Sequence, residues 1–546
     1  MEKRKIGVLF LLSCFFTFNI YVFCCTIIVA GKDATKDGSV IISHTDACEN
    51  SRLMVVPAKK YKKGAQAPVY LGLQDPRIPL GKFGKIIGYI PQVEKTYAYF
   101  HSGYSHINEH QLAIAESTTA QRKELHVNHT TGRQIITIEQ AMVFALQRCK
   151  KAESALELIT SLIEKYGFLP SCANESETIA IADPQEVWIL EIFSVGPGWT
   201  PNIGKLGAIW TAQRVHDDHI AIVPNWSIIK EIDLSKPDEF RASKNYKQFA
   251  IERGWYDPQS SKPFIWQEVY TPILAEWGLT RLWLFYSTYC KSLKNWPNKY
   301  LDKLHKNYDP YHQYMESLSF YPFSAKPDKK ITVQNIMKFQ RSTFEGTIYD
   351  MTADYDWLVP DGKGNFVKSP LTTPFPTPDM RALLDIDFRR NVSKGGYGMI
   401  AQLRSWLPDP VGGIYWYFVD NQYVSTYIPI YTGVQKIHPS YKIYNPDKYT
   451  ENSVRWGIDF VDNLLYLKFQ EAIKDVRKVR DPLEATFFEE LSAIDNKAVT
   501  MFKQRPSKAK KYVTQLTWKR MDKIHKMYLK LRDQLITKYT NNHVRP

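Results

Sequence analysis

Between residues 26 and 46 the apolar positions fall into two short runs, Ile27-Ile28-Val29-Ala30 and Val40-Ile41-Ile42, separated by polar Gly31 to Ser39. β-Branched runs around Asp37-Gly38 predict a β-hairpin, with the first strand starting beside Cys25 and the second returning His44 and Asp46 to the same end. Residues 53–90 are rich in Lys, Pro and Gly and read as short strands and loops. Tyr97-Ala98-Tyr99-Phe100 and Gln111-Leu112-Ala113-Ile114-Ala115 read as strands around Asn108-Glu109. The period then changes. Thr137 with Gln140 three residues on is a capping box, and Ala141, Phe144, Ala145, Ala155, Leu156, Ile159 and Leu162 recur at helical spacing until Gly167. This predicts two helices broken near Lys150-Lys151, their apolar stripe packed on a sheet. Strands resume at residues 187–193, 207–212 and 219–225, and again in the runs 402–408, 411–418 and 425–431. Residues 226–330 are aromatic and Pro-rich without regular period, while helical periodicity dominates from Trp456 to the end. Strand pairs, two helices and further strands predict an α/β chain in which two packed sheets lie between outer helices, a four-layer arrangement.

Composition adds a size and a compartment. The chain has 546 residues, 44% hydrophobic and 23% charged, enough for a large core and unlike a disordered chain. Met1 to Lys5 followed by Ile6 to Phe23 has the charged and apolar regions of a secretory signal, with Val22 and Cys24 small enough for cleavage before Cys25. A membrane anchor is the alternative for a run approaching the ~20 residues that span a bilayer, although Ser13, Thr17 and Asn19 interrupt it. Export makes the mature chain secreted or periplasmic. Of seven cysteines, Cys14 and Cys24 leave with the signal, and the remaining five are too sparse to demand disulfides. Asn128, Asn174 and Asn391 carry glycosylation sequons that matter only in a glycosylating host.

The net charge of +15 is not spread evenly. Residues 503–546 hold thirteen Lys and Arg against Asp522 and Asp533. The main body is therefore near balance, which together with export argues against nucleic-acid binding. The tail reads as a solvated basic helix or a weak contact for an anionic surface. His216-Asp217-Asp218-His219 looks like a metal cluster, but adjacent residues on a tight turn cannot all point at one ion, and no metal or other cofactor is expected.

The chemistry concentrates at Cys25. Cleavage before it would leave a thiol and a free α-amine on one residue, and an amine of pKa about 7.7 to 8.0 can take the thiol's proton near neutral pH. The stretch Cys25-Thr26, Gly31-Lys32, Ala34 and Asp37-Gly38-Ser39 resembles the signature of the PepD-type dipeptidases, cysteine members of the N-terminal-nucleophile hydrolases that are related to the secernins. The resemblance resumes at Asn108-Glu109, at Glu116-Ser117-Thr118 and at Phe344 to Thr352, and extends to about residue 480. It implies the αββα fold, with residues 1–24 as signal, 25–480 as catalytic domain and 481–546 as a basic helical extension. It also implies Cys25 as nucleophile, His44 and Asp46 beside it (many relatives carry an arginine at the His44 position), and Asn225, after the third strand, as an oxyanion donor. Asn108 and Glu116 follow as substrate-side residues. Arg404 offers a bidentate partner for a substrate carboxylate, although a surface or structural role is the commoner use of such an arginine.

Three functions stay open at this level. The first is an exported dipeptidase acting on small peptides; the second keeps the fold but acts on N-acyl amides; the third is a non-enzymatic, secernin-like protein working through partners.

Overall fold

The computed structural model describes residues 25–170, 175–272, 276–290, 321–347, 349–386, 391–393, 395–542 and 544. The expected signal segment, together with Cys172 and Asn174, lies outside the described residues. The fold is mixed α/β, built on two antiparallel sheets.

The predicted hairpin forms. β1 (Thr26–Ala30) pairs with β2 (Val40–Asp46), with Thr26 opposite Thr45 and Ile27 opposite His44. The turn between them explains why its residues are what they are. Gly38 has φ +82°, a left-handed conformation that glycine adopts without a Cβ penalty. Asp37 accepts from the Ser39 backbone N–H at 3.2 Å and hydroxyl at 2.7 Å, and from the Gln402 amide at 2.6 Å. Gly31 ends β1 against the loop that carries Asp217. Its N–H donates to His219 O at 3.0 Å, and a Cβ placed on it would sit 2.3 Å from Asp217 O. Gly31→Ala must therefore push two backbones apart, and urea denaturation is expected to show a loss of about 2 to 3 kcal/mol.

The other strands of these two sheets are β3 (Met54–Val56), β4 (Tyr99–His101), β5 (Ile107–Asn108), β6 (Ala113–Thr119), β7 (Ser176–Ala182), β8 (Val187–Ser194), β9 (Ala208–Val215), β10 (Ile220–Val223), β11 (Phe240–Ala242), β12 (Tyr397–Leu403), β13 (Ile414–Val419) and β14 (Ile428–Tyr431). One sheet runs β10-β1-β2-β12-β13-β14, so the strand following Cys25 is interior. The other runs β11-β9-β8-β7-β6-β5-β4-β3. Period-two alternation divides the second sheet's side chains between two cores. Ala113, Ala115, Ala180, Ile189 and Phe193 join the cluster that contains Ile27 to Ala30 and Val40 to Ile42. Ile114, Ile179, Ile181, Trp188 and Leu190 instead join Leu156, Ile159 and Ile163 of the helices α1 (Ile138–Arg148) and α2 (Ala152–Tyr166).

The helix boundaries follow the sequence signals. Thr137 accepts from the Gln140 N–H, while the Gln140 side chain accepts from Tyr70 N at 2.9 Å instead of closing the box. Gly167, at φ +76°, ends α2. The aromatic stretch without period contains α3 (Glu276–Tyr289), and α4 (Val333–Gln340) follows.

Residue 481, where the basic extension was expected to begin, lies inside α6 (Phe469–Glu489), which follows α5 (Val454–Leu465). Beyond it, α7 (Leu491–Gln504) and the 34-residue α8 (Pro506–Tyr539) continue the same fold. Val513, Met521, Ile524, Tyr528, Leu531 and Leu535 lie on one stripe of α8 and enter the core shared by both sheets, so most of the basic residues mark the helix's outer face, Arg520, buried beside Glu490, excepted.

Candidate active site

Cys25 heads β1 and is buried, 5% exposed. Its thiol donates to Asp46 Oδ1 at 3.4 Å, and the same oxygen accepts from the Cys48 N–H at 3.0 Å. Asp46 reaches this point because the hairpin register brings the end of β2 beside the start of β1. Burial raises the Asp46 carboxyl above its ordinary range, against the lowering effect of His44.

His44, fully buried on β2, holds the next position. Its Nε2 lies 3.4 Å from Glu116 Oε2 and its Nδ1 lies 2.7 Å from His106 Nε2, while His106 Nδ1 is 2.8 Å from Tyr415 Oη. Burial, reinforced by His44, keeps His106 well below the usual imidazole range. Burial also pushes Glu116 up, but interactions with Glu177, His44 and Thr118 outweigh it and leave the carboxyl below its ordinary value.

The Glu116-Ser117-Thr118 run on β6 has a division of labour. Glu116 faces His44, whereas Ser117 Oγ accepts from Asn225 N at 3.0 Å and Thr118 O accepts from Asn225 Nδ2 at 2.9 Å. Asn225, at φ +61° just after β10, is one of the few residue types that tolerate a left-handed backbone. Its carboxamide orientation is fixed from both sides, because its Oδ1 accepts from Arg281 at 3.0 Å.

Arg281 is the component that sequence reasoning missed. It is 1% exposed on α3, and its guanidinium donates to Cys25 O at 2.8 Å, Thr26 Oγ1 at 2.6 Å, Pro224 O at 2.8 Å and Asn225 Oδ1 at 3.0 Å. One cation thus ties the cysteine's own carbonyl to the asparagine. No local pattern in Gly278-Leu279-Thr280-Arg281-Leu282 signals this.

Two expected substrate-side residues are placed elsewhere in the bonding. Arg404 is corrected to a structural ion pair: its guanidinium binds Asp495 of α7 and the carbonyls of Gly412 at 2.9 Å and Val411 at 2.7 Å. The whole fork is engaged within the fold. Asn108 donates to Leu146 O at 2.9 Å and Cys149 O at 2.8 Å and accepts from His110 N and Leu112 N, so its amide joins a turn to the end of α1. The His216 to His219 turn is likewise occupied: Asp217 pairs with Arg214 at 2.8 Å and Lys32 at 3.1 Å, and Asp218 with Lys326 at 3.2 Å. Among the described residues, no disulfide joins Cys25, Cys48, Cys149 and Cys290.

A buried thiol on a carboxylate, with an oriented amide and a buried guanidinium at its backbone, brings together groups of the kinds that nucleophilic chemistry at a carbonyl uses. The profile of peptidase family C69 matches residues 24–481, a span that starts one residue before Cys25 and takes in every residue of this cluster. The chain belongs to peptidase family C69. As a C69 member it is a peptide hydrolase. Its relatives include the probable dipeptidase B of Streptococcus pyogenes serotype M1, 23% identical over 475 residues covering 85% of this chain and 82% of the relative. The probable dipeptidase of Latilactobacillus sakei is 22% identical over 473 residues, covering 85% and 86%. That of Lactococcus lactis subsp. lactis, a probable dipeptidase B, is 25% identical over 431 residues, covering 77% and 76%. Among solved structures, a mutant conjugated bile acid hydrolase from Clostridium perfringens aligns with 34% of this chain and 50% of its own at 14% identity and TM-score 0.18, too little to carry an argument.

Proposed function

We propose that this C69 peptidase is an exported cysteine dipeptidase whose nucleophile is Cys25, exposed as the first residue by removal of residues 1–24. The observation that carries the reading is the Cys25 thiol on Asp46, in a residue whose own carbonyl is clamped by Arg281 beside Asn225. The names of the relatives support dipeptides as the substrate class.

The free α-amine takes the thiol proton, and the thiolate attacks the scissile carbonyl. The oxyanion then forms beside Asn225, whose Nδ2 spends one N–H on Thr118 O and has the other to offer. Collapse releases the amine product, and water hydrolyses the thioester by the reverse sequence of proton transfers. No cofactor takes part. The same reading treats the two sheets and the helices outside them as the αββα sandwich of the N-terminal-nucleophile hydrolases, and the basic face of α8 as a weak contact for an anionic surface. No helix among the described residues is long and apolar enough to cross a membrane.

Sequencing the N-terminus of the mature protein, with dipeptides assayed beside N-acyl amides, tests the proposal. A start at Cys25 with dipeptide turnover supports it. A start elsewhere removes the mechanism, amide turnover without dipeptide turnover moves the chain to the N-acyl amide class, and a protein inert to both fits the interaction role.

Asn225→Gly, which keeps the positive φ, is expected to lower kcat by about 10² to 10³-fold, since one oxyanion donor is lost. Asn225→Ala adds backbone strain of about 1 to 2 kcal/mol. Comparing kcat and thermal unfolding of the two variants separates the catalytic from the conformational role.

A further inference from the structure

We propose that Cys25, His44 and Glu116 form a binding site for a soft divalent cation, zinc foremost, which reversibly occupies the thiol. The cysteine sulfur, an imidazole nitrogen and a carboxylate oxygen lie within 4.8 Å of one another, and all three residues are buried. Sulfur, nitrogen and oxygen from three side chains make a donor set that zinc accepts, with a water carried in by the ion as fourth ligand. Tetrahedral bonds of about 2.0 to 2.3 Å put donors about 3.5 Å apart. His44 Nε2 and Glu116 Oε2 already stand at 3.4 Å, so only the sulfur has to close in.

A second observation points the same way. His44 Nε2 and Glu116 Oε2 are fully buried polar atoms that face each other without a well-aligned hydrogen bond. Buried polar groups are seldom left so, and a cation between them would satisfy both. The outer support for a metal-ligating imidazole is also in place. Such a ring ordinarily donates its other N–H to a fixed acceptor, and His44 Nδ1 has His106 Nε2 at 2.7 Å, backed by Tyr415 Oη at 2.8 Å from the far nitrogen. In that tautomer the Nε2 lone pair is directed at the carboxylate and the thiol.

Binding replaces the S–H bond by a sulfur–metal bond and releases one proton to solvent, with no change of oxidation state. The inhibition this implies rests on the dipeptidase reading, but the binding itself does not. The peptidase would be held silent wherever free zinc is abundant and released when the metal is withdrawn.

The test uses the metal-free full chain and cobalt as probe. Added Co²⁺ is expected to give a near-ultraviolet thiolate-to-metal charge-transfer band that Zn²⁺ bleaches and Cys25→Ser abolishes. Zn²⁺ is expected to slow alkylation of Cys25 at least about tenfold, with a chelator restoring it. His44→Gln and Glu116→Gln are each expected to weaken this protection about tenfold or more, and His106→Phe about tenfold through loss of the supporting hydrogen bond. Absence of the band in the unmutated protein together with unchanged alkylation overturns the proposal, and so does protection that survives both ligand substitutions. These readouts need no turnover, so a protein that binds metal but hydrolyses no dipeptide refutes the proposed function and leaves this site standing.

Discussion

Replacing Cys25 by alanine is expected to lower kcat for dipeptide hydrolysis by about 10⁴-fold or more, while thermal unfolding shifts by only a few degrees. The reasoning separates chemistry from packing. Removing the nucleophile of an acyl-transfer enzyme leaves binding and oxyanion stabilisation, which by themselves give only a small residue of the rate. The packing loss is slight, because only one sulfur atom is removed and the apolar cluster that holds Ile27, Ile28 and Val29 is untouched. Cys25→Ser makes the sharper comparison. A hydroxyl can still donate to Asp46 Oδ1, so the structure is kept, yet a hydroxyl is a far weaker nucleophile at neutral pH than a thiol. Stopped assays on both variants beside circular dichroism would show whether activity and fold part company. Undiminished turnover by either variant would remove Cys25 from the mechanism.

Arg281→Lys is expected to have the second largest effect, a fall of about 10² to 10³-fold in kcat with a stability loss of about 2 to 4 kcal/mol. The four acceptors around the guanidinium belong to Cys25, Thr26, Pro224 and Asn225, and they are reached by one planar fork. An ammonium carries three donors in a different geometry and cannot serve all four, and each buried acceptor left unpaired costs about 1 to 3 kcal/mol. The catalytic part of the loss comes through position: without the fork, the Cys25 carbonyl and the Asn225 side chain are no longer held in one frame, and a displacement of about 1 Å can cost 10²-fold. Urea denaturation followed by single-turnover kinetics distinguishes the two contributions. Equal kcat in the folded Arg281→Lys protein would show that the clamp serves stability alone.

What the sequence made legible was local. The hairpin could be read because period-two apolar runs flank Asp37-Gly38, and the turn's bonds are made by the neighbouring residues themselves. The α1 and α2 helices were legible from a cap, a stripe and a glycine. Glu116-Ser117-Thr118 stood out as a motif, but its roles did not, since they depend on His44 and Asn225 arriving from other strands. Arg281 left no trace because its partners lie more than fifty residues away in sequence and nothing periodic surrounds it. Arg404 was ambiguous for the same reason: a guanidinium suited to a carboxylate is equally suited to Asp495, and only the fold brings Asp495 to it. The segment after residue 480 was read by its charges, whereas its fold is set by the uncharged stripe from Val513 to Leu535.

That stripe bears on how the molecule fails. Among the described residues β14 is the last strand of its sheet and pairs only with β13, so its other side is the kind of border on which another chain can dock. Helices α6 and α8 lie against it. A chain clipped before α8 would lose that helix's share of the cover and leave Ile428 to Tyr431 more open, and its expected fate is self-association into insoluble material rather than a smaller working enzyme.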